Sequence, residues 1–403
     1  MKYFLFPFKQ KMTWLGIIAV FTVITLLTLA LLGSSVNPAP KNLPMAIVVL
    51  DKGVSIPGKE QMNFGKIITD NITKSAAGTE DQPLKWTILD SEAQAMNALD
   101  NEEFYGALIL PEDLSTKIAS LQGGHPSPGE IQVYINQGMN STAASMLTQV
   151  VNTISENINS NFRTQIMQVY KSKGNSLSSE QAQALAAPVQ FTSKFINPVP
   201  THSANGNAPV SFTQLAWLGG MTTSILIFVS GKNKRPELRI SNMYIKISQA
   251  VLGVIFAAAA SLTALMWAKA VNLTIPDAAE FCLYFGIVCF CFFLIHSFVL
   301  NWVGMGGVAI IILIFFFTLP LLPIPQEMLP SFSRNWLYSW TPMRFGAEIF
   351  RDILYFGKGK NLGSPLTVLT VAGAISFVLS LLSVFKPMKS NIQGTAHATS
   401  SSV

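Results

Sequence analysis

Charge is what this chain has least of. Asp, Glu, Lys and Arg make up 12% of its 403 residues, half the share of about 25% found in soluble globular domains. That scarcity excludes an ordinary cytosolic enzyme. Disorder is excluded as well, because it needs low hydrophobicity and half of these residues are hydrophobic. Cysteine is scarce too. Cys282, Cys289 and Cys291 fall in one apolar run, so the long polar region has no thiol with which to form a disulfide. No Cys/His set has zinc spacing, and no metal site is expected. There is no Gly-x-x-x-x-Gly-Lys-Ser/Thr loop, so the chain does not hydrolyse ATP by that route. The cluster Gly304, Gly306, Gly307 lacks the soluble strand that a dinucleotide site requires. No Ser/His/Asp nucleophile set is visible. The reading is therefore no enzyme, no catalytic residues and no cofactor.

What is present is a set of long runs free of Asp, Glu, Lys and Arg. They cover Thr13–Leu32, Phe212–Ser230, Ile247–Trp267, Phe281–Leu300, Gly304–Leu322 and Leu366–Phe385. Each reaches about the 20 apolar residues that span a bilayer. The first is too long for the core of a signal peptide, and no Ala-x-Ala site follows it, so it reads as an uncleaved anchor. Basic residues set the orientation. Lys2, Lys9 and Lys11 precede the first span. Lys232, Lys234, Arg235, Arg239 and Lys246 lie between the second and third, and Lys386 and Lys389 follow the sixth. Both termini are then cytosolic. Against this stand Arg334, Arg344, Arg351, Lys358 and Lys360, which the same topology places outside. The segment Tyr3–Phe8, with its flanking lysines, reads as interfacial.

Residues 34–210 differ in kind. They hold 11 basic and 15 acidic residues, so the net charge of +6 comes from the remainder of the chain. The basic balance is a topology signal and a contact with anionic lipid. No basic stripe with interleaved aromatics supports nucleic-acid binding. Met45–Leu50, Leu84–Leu89, Tyr105–Leu110 and Ile131–Ile135 read as strands. Gln61–Ile72 reads as a helix, as does the stretch capped by Ser91 that carries Ala95, Met96 and Leu99. Alternating strands and helices imply a layered α/β sheet. From Ser141 to Tyr170 apolar residues recur at three and four, either as a projecting coiled-coil-like arm or as an amphipathic helix packed on the sheet. Gly, Ser, Pro and Asn residues cluster between Lys171 and Pro209, and Phe195-Ile196-Asn197-Pro198-Val199-Pro200 reads as an extended return towards the bilayer.

Several segments resemble a known family. These are Val48-Val49-Leu50-Asp51-Lys52-Gly53 after a first anchor, Asn63-Phe64-Gly65-Lys66, Trp86, Ser91-Glu92-Ala93, and Tyr105-Gly106-Ala107-Leu108-Ile109-Leu110-Pro111-Glu112-Asp113-Leu114-Ser115. Further on come Pro320, Pro323, Pro325, Gln326–Pro330, Thr341-Pro342 and Arg351-Asp352-Ile353-Leu354. In order, they resemble the YhgE/Pip (phage infection protein) family of the ABC-2-type permease superfamily. The resemblance implies a polytopic α-helical membrane protein with six transmembrane helices. An α/β extracytoplasmic domain is inserted between the first and second. Residues 1–33 would hold the interfacial segment and anchor, 34–210 the extracytoplasmic domain, 211–386 the other five helices, and 387–403 a cytosolic tail. It also implies a permease subunit exporting a hydrophobic or amphipathic compound or surface component, driven by a separate ABC ATPase. The alternative is a membrane-anchored surface receptor or secretion scaffold without transport. This chain lacks the long coiled-coil insertion of some members.

Three places are candidate sites. His296 is the one ionisable residue deep in a span, either a proton site or a hydrogen-bonding helix contact. Pro236, Glu237 and Arg239 sit in the loop Gly231–Lys246, either as a coupling helix receiving drive from an ATPase or as a loop that only fixes topology. Residues 325–360 read as an amphipathic hairpin or re-entrant element at the outer surface. Thr341 caps a helix with Pro342 in its first turn. Arg344, Glu348, Arg351 and Asp352 share one face at three and four, either as an outer gate or as an interfacial anchor. Phe345, Ile349, Ile353 and Phe356 form the opposing apolar face. Gly253, Ala257 and Ser261 repeat at four, a small-residue seam for a contact within the chain or for a homodimer.

Overall fold

The computed structural model describes residues 40–55, 61–76, 82–173, 176–231, 239–358 and 362–386, with Thr25 the only described residue before them. The expected first span, the segment Tyr3–Phe8 and the tail 387–403 lie outside the described residues, apart from that threonine. So do Pro236 and Glu237.

The polar half holds five strands and five helices among the described residues. In chain order they are β1 (Leu43–Val49), α1 (Phe64–Ala76), β2 (Leu84–Leu89), α2 (Glu92–Asp100), β3 (Gly106–Leu110), α3 (Leu114–Ser120), β4 (Gly129–Asn136), α4 (Ser141–Lys173), α5 (Ser179–Ala186) and β5 (Val189–Ile196). The strands form one sheet in the order β2-β1-β3-β4-β5. β1 runs parallel to β2 and β3, β4 antiparallel to β3, and β5 parallel to β4. The period of two along each strand sorts its side chains. Leu43, Met45, Ile47, Leu108, Leu110, Ile131, Val133 and Ile135 form one core with α1, α3 and α4. Ala46, Val48, Ala107 and Ile109 face the other way, against Ala95, Ala98 and Leu99 of α2.

Two elements go beyond the sequence reading. The Gly-, Ser-, Pro- and Asn-rich stretch contains α5 and the edge strand β5, and the last two residues of β5, Phe195 and Ile196, begin the expected extended return. Ser178 caps α5 in a full capping box with Gln181, a four-residue signal that the sequence carries openly. The long helix α4 is the packed alternative, not a free arm. Ala143, Leu147, Val151, Ile158 and Phe162 are buried in the sheet core, and Ile166 and Tyr170 continue onto Leu121, Ala184 and Leu185.

The apolar half contains four helical stretches long and apolar enough to cross a membrane: Ala208–Gly231, Ile240–Ala270, Ala278–Thr318 and Gly363–Phe385. This is a membrane protein, mostly helical. We label its helices α6 (Ala208–Gly231), α7 (Arg239–Ala270), α8 (Ala278–Val303), α9 (Gly307–Thr318), α10 (Pro342–Arg351) and α11 (Gly363–Leu382). The third stretch is broken. Gly304 has φ 80° and ψ −158°, which no α-helix allows. A Cβ on Gly307 would lie 2.9 Å from the Val299 side chain, eight residues back, so α9 reverses beside α8. With 12 residues, α9 is about 18 Å long, short of the bilayer's apolar thickness of about 30 Å. The expected fifth span, Gly304–Leu322, is helical only as far as Thr318.

The helix ends fall into two sets. Lys246 hydrogen-bonds Asn301, Lys386 donates to the Trp302 carbonyl at 2.6 Å, and Trp302 donates to that of Leu379 at 2.9 Å. The start of α7 and the ends of α8 and α11 therefore share one end of the bundle. The opposite end carries the sheet domain, where Thr274, after α7, donates to the Thr201 carbonyl at 3.4 Å. The seam is an internal contact: a Cβ on Gly253 would collide with the Phe293 ring of α8 at 2.2 Å, and Ala257 and Ser261 are buried. A homodimer would have to use another face.

Candidate functional site

Helix α10 sits between the two halves. Its apolar side enters the helix bundle. Gly346 packs against Thr213 of α6 and against Val288 and Phe292 of α8, where a Cβ would lie only 3.1–3.3 Å from their side chains. Phe350 joins Phe212, Phe281 and Phe285 at centroid distances of 5.9, 6.1 and 5.7 Å. The buried face is thus centred on Met343, Gly346, Ala347 and Phe350. This corrects the expected face of Phe345, Ile349, Ile353 and Phe356: Ile349 and Ile353 are buried, but Phe345 and Phe356 are only half-buried. Thr341 precedes the helix without capping it. Its hydroxyl instead pairs with that of Thr318 at 2.8 Å, tying the end of α9 to the start of α10.

The polar side of α10 faces the sheet domain across a cleft of about 410 Å³. Arg344 pairs with Glu348 at 3.0 Å, the expected pairing at four, and its guanidinium lies 5.1 Å above the Tyr338 ring. Arg351 and Asp352 turn to Glu102, between α2 and β3, a residue that no local pattern singles out. Arg351 lies 4.0 Å from Glu102 and Lys358 lies 2.8 Å from it. Asp352 is buried against the same carboxylate. Tyr105, at the foot of β3, donates to Glu327 at 3.0 Å. Asn140, just before α4, donates to the Pro323 carbonyl at 3.0 Å. Arg344, Glu348, Arg351 and Asp352 are therefore gathered in one place, joined by Glu102, Tyr105, Glu327, Tyr338 and Lys358.

Burial governs the electrostatics here. It pushes Asp352 up from 3.8 to about 8, reinforced by a hydrogen bond with Glu102 and by that group's charge, and opposed by Lys358 and Arg351. At neutral pH Asp352 therefore keeps its proton. Burial also raises Glu348 against the pull of Arg344 and Arg351. Tyr338 rises to about 12 through burial and the Glu348 charge, and Tyr105 rises through burial and Glu327. Burial works against the charge of Arg351, but Tyr338, Glu102, Glu348 and Tyr105 outweigh it and hold Arg351 above its usual value. The cleft is a network of partly buried charges: Arg344 and Glu348 pair within α10, while Arg351, Asp352 and Lys358 meet Glu102 of the α/β domain.

A second cluster organises the sheet domain. Asp51, at the end of β1, accepts from the backbone N–H of Gly65 and of Ser115 at 2.9 Å each, and from the Ser115 hydroxyl. Ser115 in turn accepts from the Phe64 N–H at 2.7 Å. One carboxylate thus satisfies the open N–H groups at the starts of α1 and α3. Gly65 must be glycine, since a Cβ there would lie 2.7 Å from that of Asp51. Three of the segments that carried the resemblance meet at this point.

The other expected sites fall apart from both clusters. His296 is fully buried in the seam between α6 and α8, its ring 4.3 Å from that of Trp217 and nearly perpendicular to it. The Gly220 backbone lies beside the ring, outside hydrogen-bond geometry. No acid or second histidine of the described residues joins it in a metal-type cluster. Arg239 begins α7.

Fold and site together define a polytopic membrane protein whose α/β domain is seated on its helices through a charged junction. The family model described as Protein of unknown function (DUF3533) matches residues 15–378, and the chain belongs to that family. No curated protein and no solved structure matches it.

Proposed function

We propose that the chain is the permease subunit of an ABC-2-type exporter for a hydrophobic or amphipathic compound or cell-surface component, as its resemblance to the YhgE/Pip family implies. In this reading six spans place both termini in the cytosol and the α/β domain outside. Lys246 and Lys386 support that orientation, since they gather at the bundle end away from the sheet domain. A separate ABC ATPase supplies the energy.

The observation that carries the proposal is α10. Its Phe350 face is locked into α6 and α8, while Arg351, Asp352 and Lys358 grip Glu102 of the α/β domain. A rearrangement of the spans therefore moves the outer domain through one short helix. That is what an outer gate needs, and conformational steps of this kind limit many turnover rates.

The test is ATP-dependent efflux of a neutral amphipathic dye from proteoliposomes containing the chain and its copurified ATPase. Glu102→Cys and Lys358→Cys, joined by a reducible cross-linker with Cys282, Cys289 and Cys291 replaced, should cut efflux about tenfold, and reduction should restore it. If no ATPase copurifies and no efflux occurs, the receptor or scaffold reading replaces this one.

A further inference from the structure

A second cleft, of about 460 Å³, opens in the sheet domain between α1, the edge strand β2 and α4. Its walls are apolar and aromatic. Phe64 and Phe162 meet edge to face at 5.6 Å and 72°, and Ile68, Trp86 and Ile154 complete the wall. No Asp, Glu, Lys, Arg or His is among its 17 lining residues. Its polar groups are neutral. Asn157, Asn161 and Gln165 are four residues apart along α4, with Asn71 of α1 also at the cleft. All four are exposed. None of these amide side chains is tied into a hydrogen bond with another described residue.

We propose that this cleft binds a small uncharged amphipathic molecule, with an acyl or aromatic body against the apolar wall and a hydroxyl, ester or amide group at the row of amides. The volume lies within the about 300–1,000 Å³ of small-molecule sites, which are mostly apolar with a few placed polar groups. The lining selects against ions, because a buried charge with no counter-charge is costly. The amides both donate and accept, so they suit a neutral polar group of either kind. The site is separate from the charged junction and does not rest on the transport reading.

Photolabelling the full chain in nanodiscs with a diazirine-bearing octanol tests this, with peptide mapping to separate the cleft from the lipid-facing helices. Label should appear in Met62–Ile72, Pro83–Trp86 and Val150–Gln165. Decanol should compete about tenfold better than decanoate or decylammonium. Ile154→Trp, which fills the cleft, should abolish this labelling while leaving the label on the spans unchanged. Asn157→Ala with Asn161→Ala, both at exposed positions, should weaken it about threefold or more. Label confined to the spans overturns the proposal. So does equal competition by the charged analogues, or labelling that survives both sets of substitutions.

Discussion

Two clefts of nearly equal size, about 410 and 460 Å³, are built on the same α/β domain, and they solve opposite problems. The junction cleft is lined by seven charged side chains, the cleft under α4 by none. At the junction several charges depend on a group from a distant segment, as Lys358 does on Glu102. Such pairing fixes how two bodies sit on each other, and breaking one partner leaves the other stranded. In the second cleft nothing needs a partner. Apolar walls and neutral amides leave it open to a ligand without a penalty to the fold. The contrast shows where this protein spends charge: at a contact that must be specific, and not on the surface that offers room for a guest.

Substitutions should separate the two clefts by the size of their effects. The largest loss is expected for Arg351→Met, which removes a largely buried cation from beside Glu102 and Glu348. It should cost about 3–5 kcal/mol, read as a fall in the thermal midpoint of the full chain in nanodiscs. Next is Gly65→Ala, which drives a methyl group into Asp51 and disturbs α1, one wall of the apolar cleft. About 1–3 kcal/mol is expected. Label competition in that cleft should weaken with it, while the junction stays intact.

A pH titration sharpens the comparison further. Asp352 holds its proton up to about 8, against an ordinary value of 3.8. Between those values the folded state binds a proton that the unfolded state does not. Stability therefore falls as pH rises from 3.8 towards 8 and levels off above it. Asp352→Asn should flatten that slope, and a slope unchanged in this variant would contradict a protonated Asp352. The smallest effect belongs to the apolar cleft. Asn157→Ala with Asn161→Ala should change stability by less than about 0.5 kcal/mol, whatever it does to labelling.

The sequence displayed these regions unevenly. Arg344, Glu348, Arg351 and Asp352 were legible as one face because helical spacing is local. Their partner Glu102 was not, since it lies some 250 residues earlier and in a turn, where no periodicity marks it. The strands Met45–Leu50 and Tyr105–Leu110 stood out because they are buried on both faces. The edge strand β5 did not. Its only fully buried residue is Val189, and the Gly-, Ser- and Pro-rich residues around it concealed its alternation. The apolar cleft drew no notice either, because Phe64, Trp86 and Phe162 read as ordinary core until α4 is laid across the sheet. The reversal at Gly304 was visible as a glycine cluster, but how short α9 is depends on the packing of Thr318 against Thr341.

The central claim is that Glu102 fastens the α/β domain to the membrane helices. A double-mutant cycle of Glu102→Gln and Lys358→Met, read by thermal unfolding of the full chain in nanodiscs, tests it most directly. The account predicts a coupling of about 1 kcal/mol or more between the two positions. Additive effects, agreeing within about 0.3 kcal/mol, would contradict it.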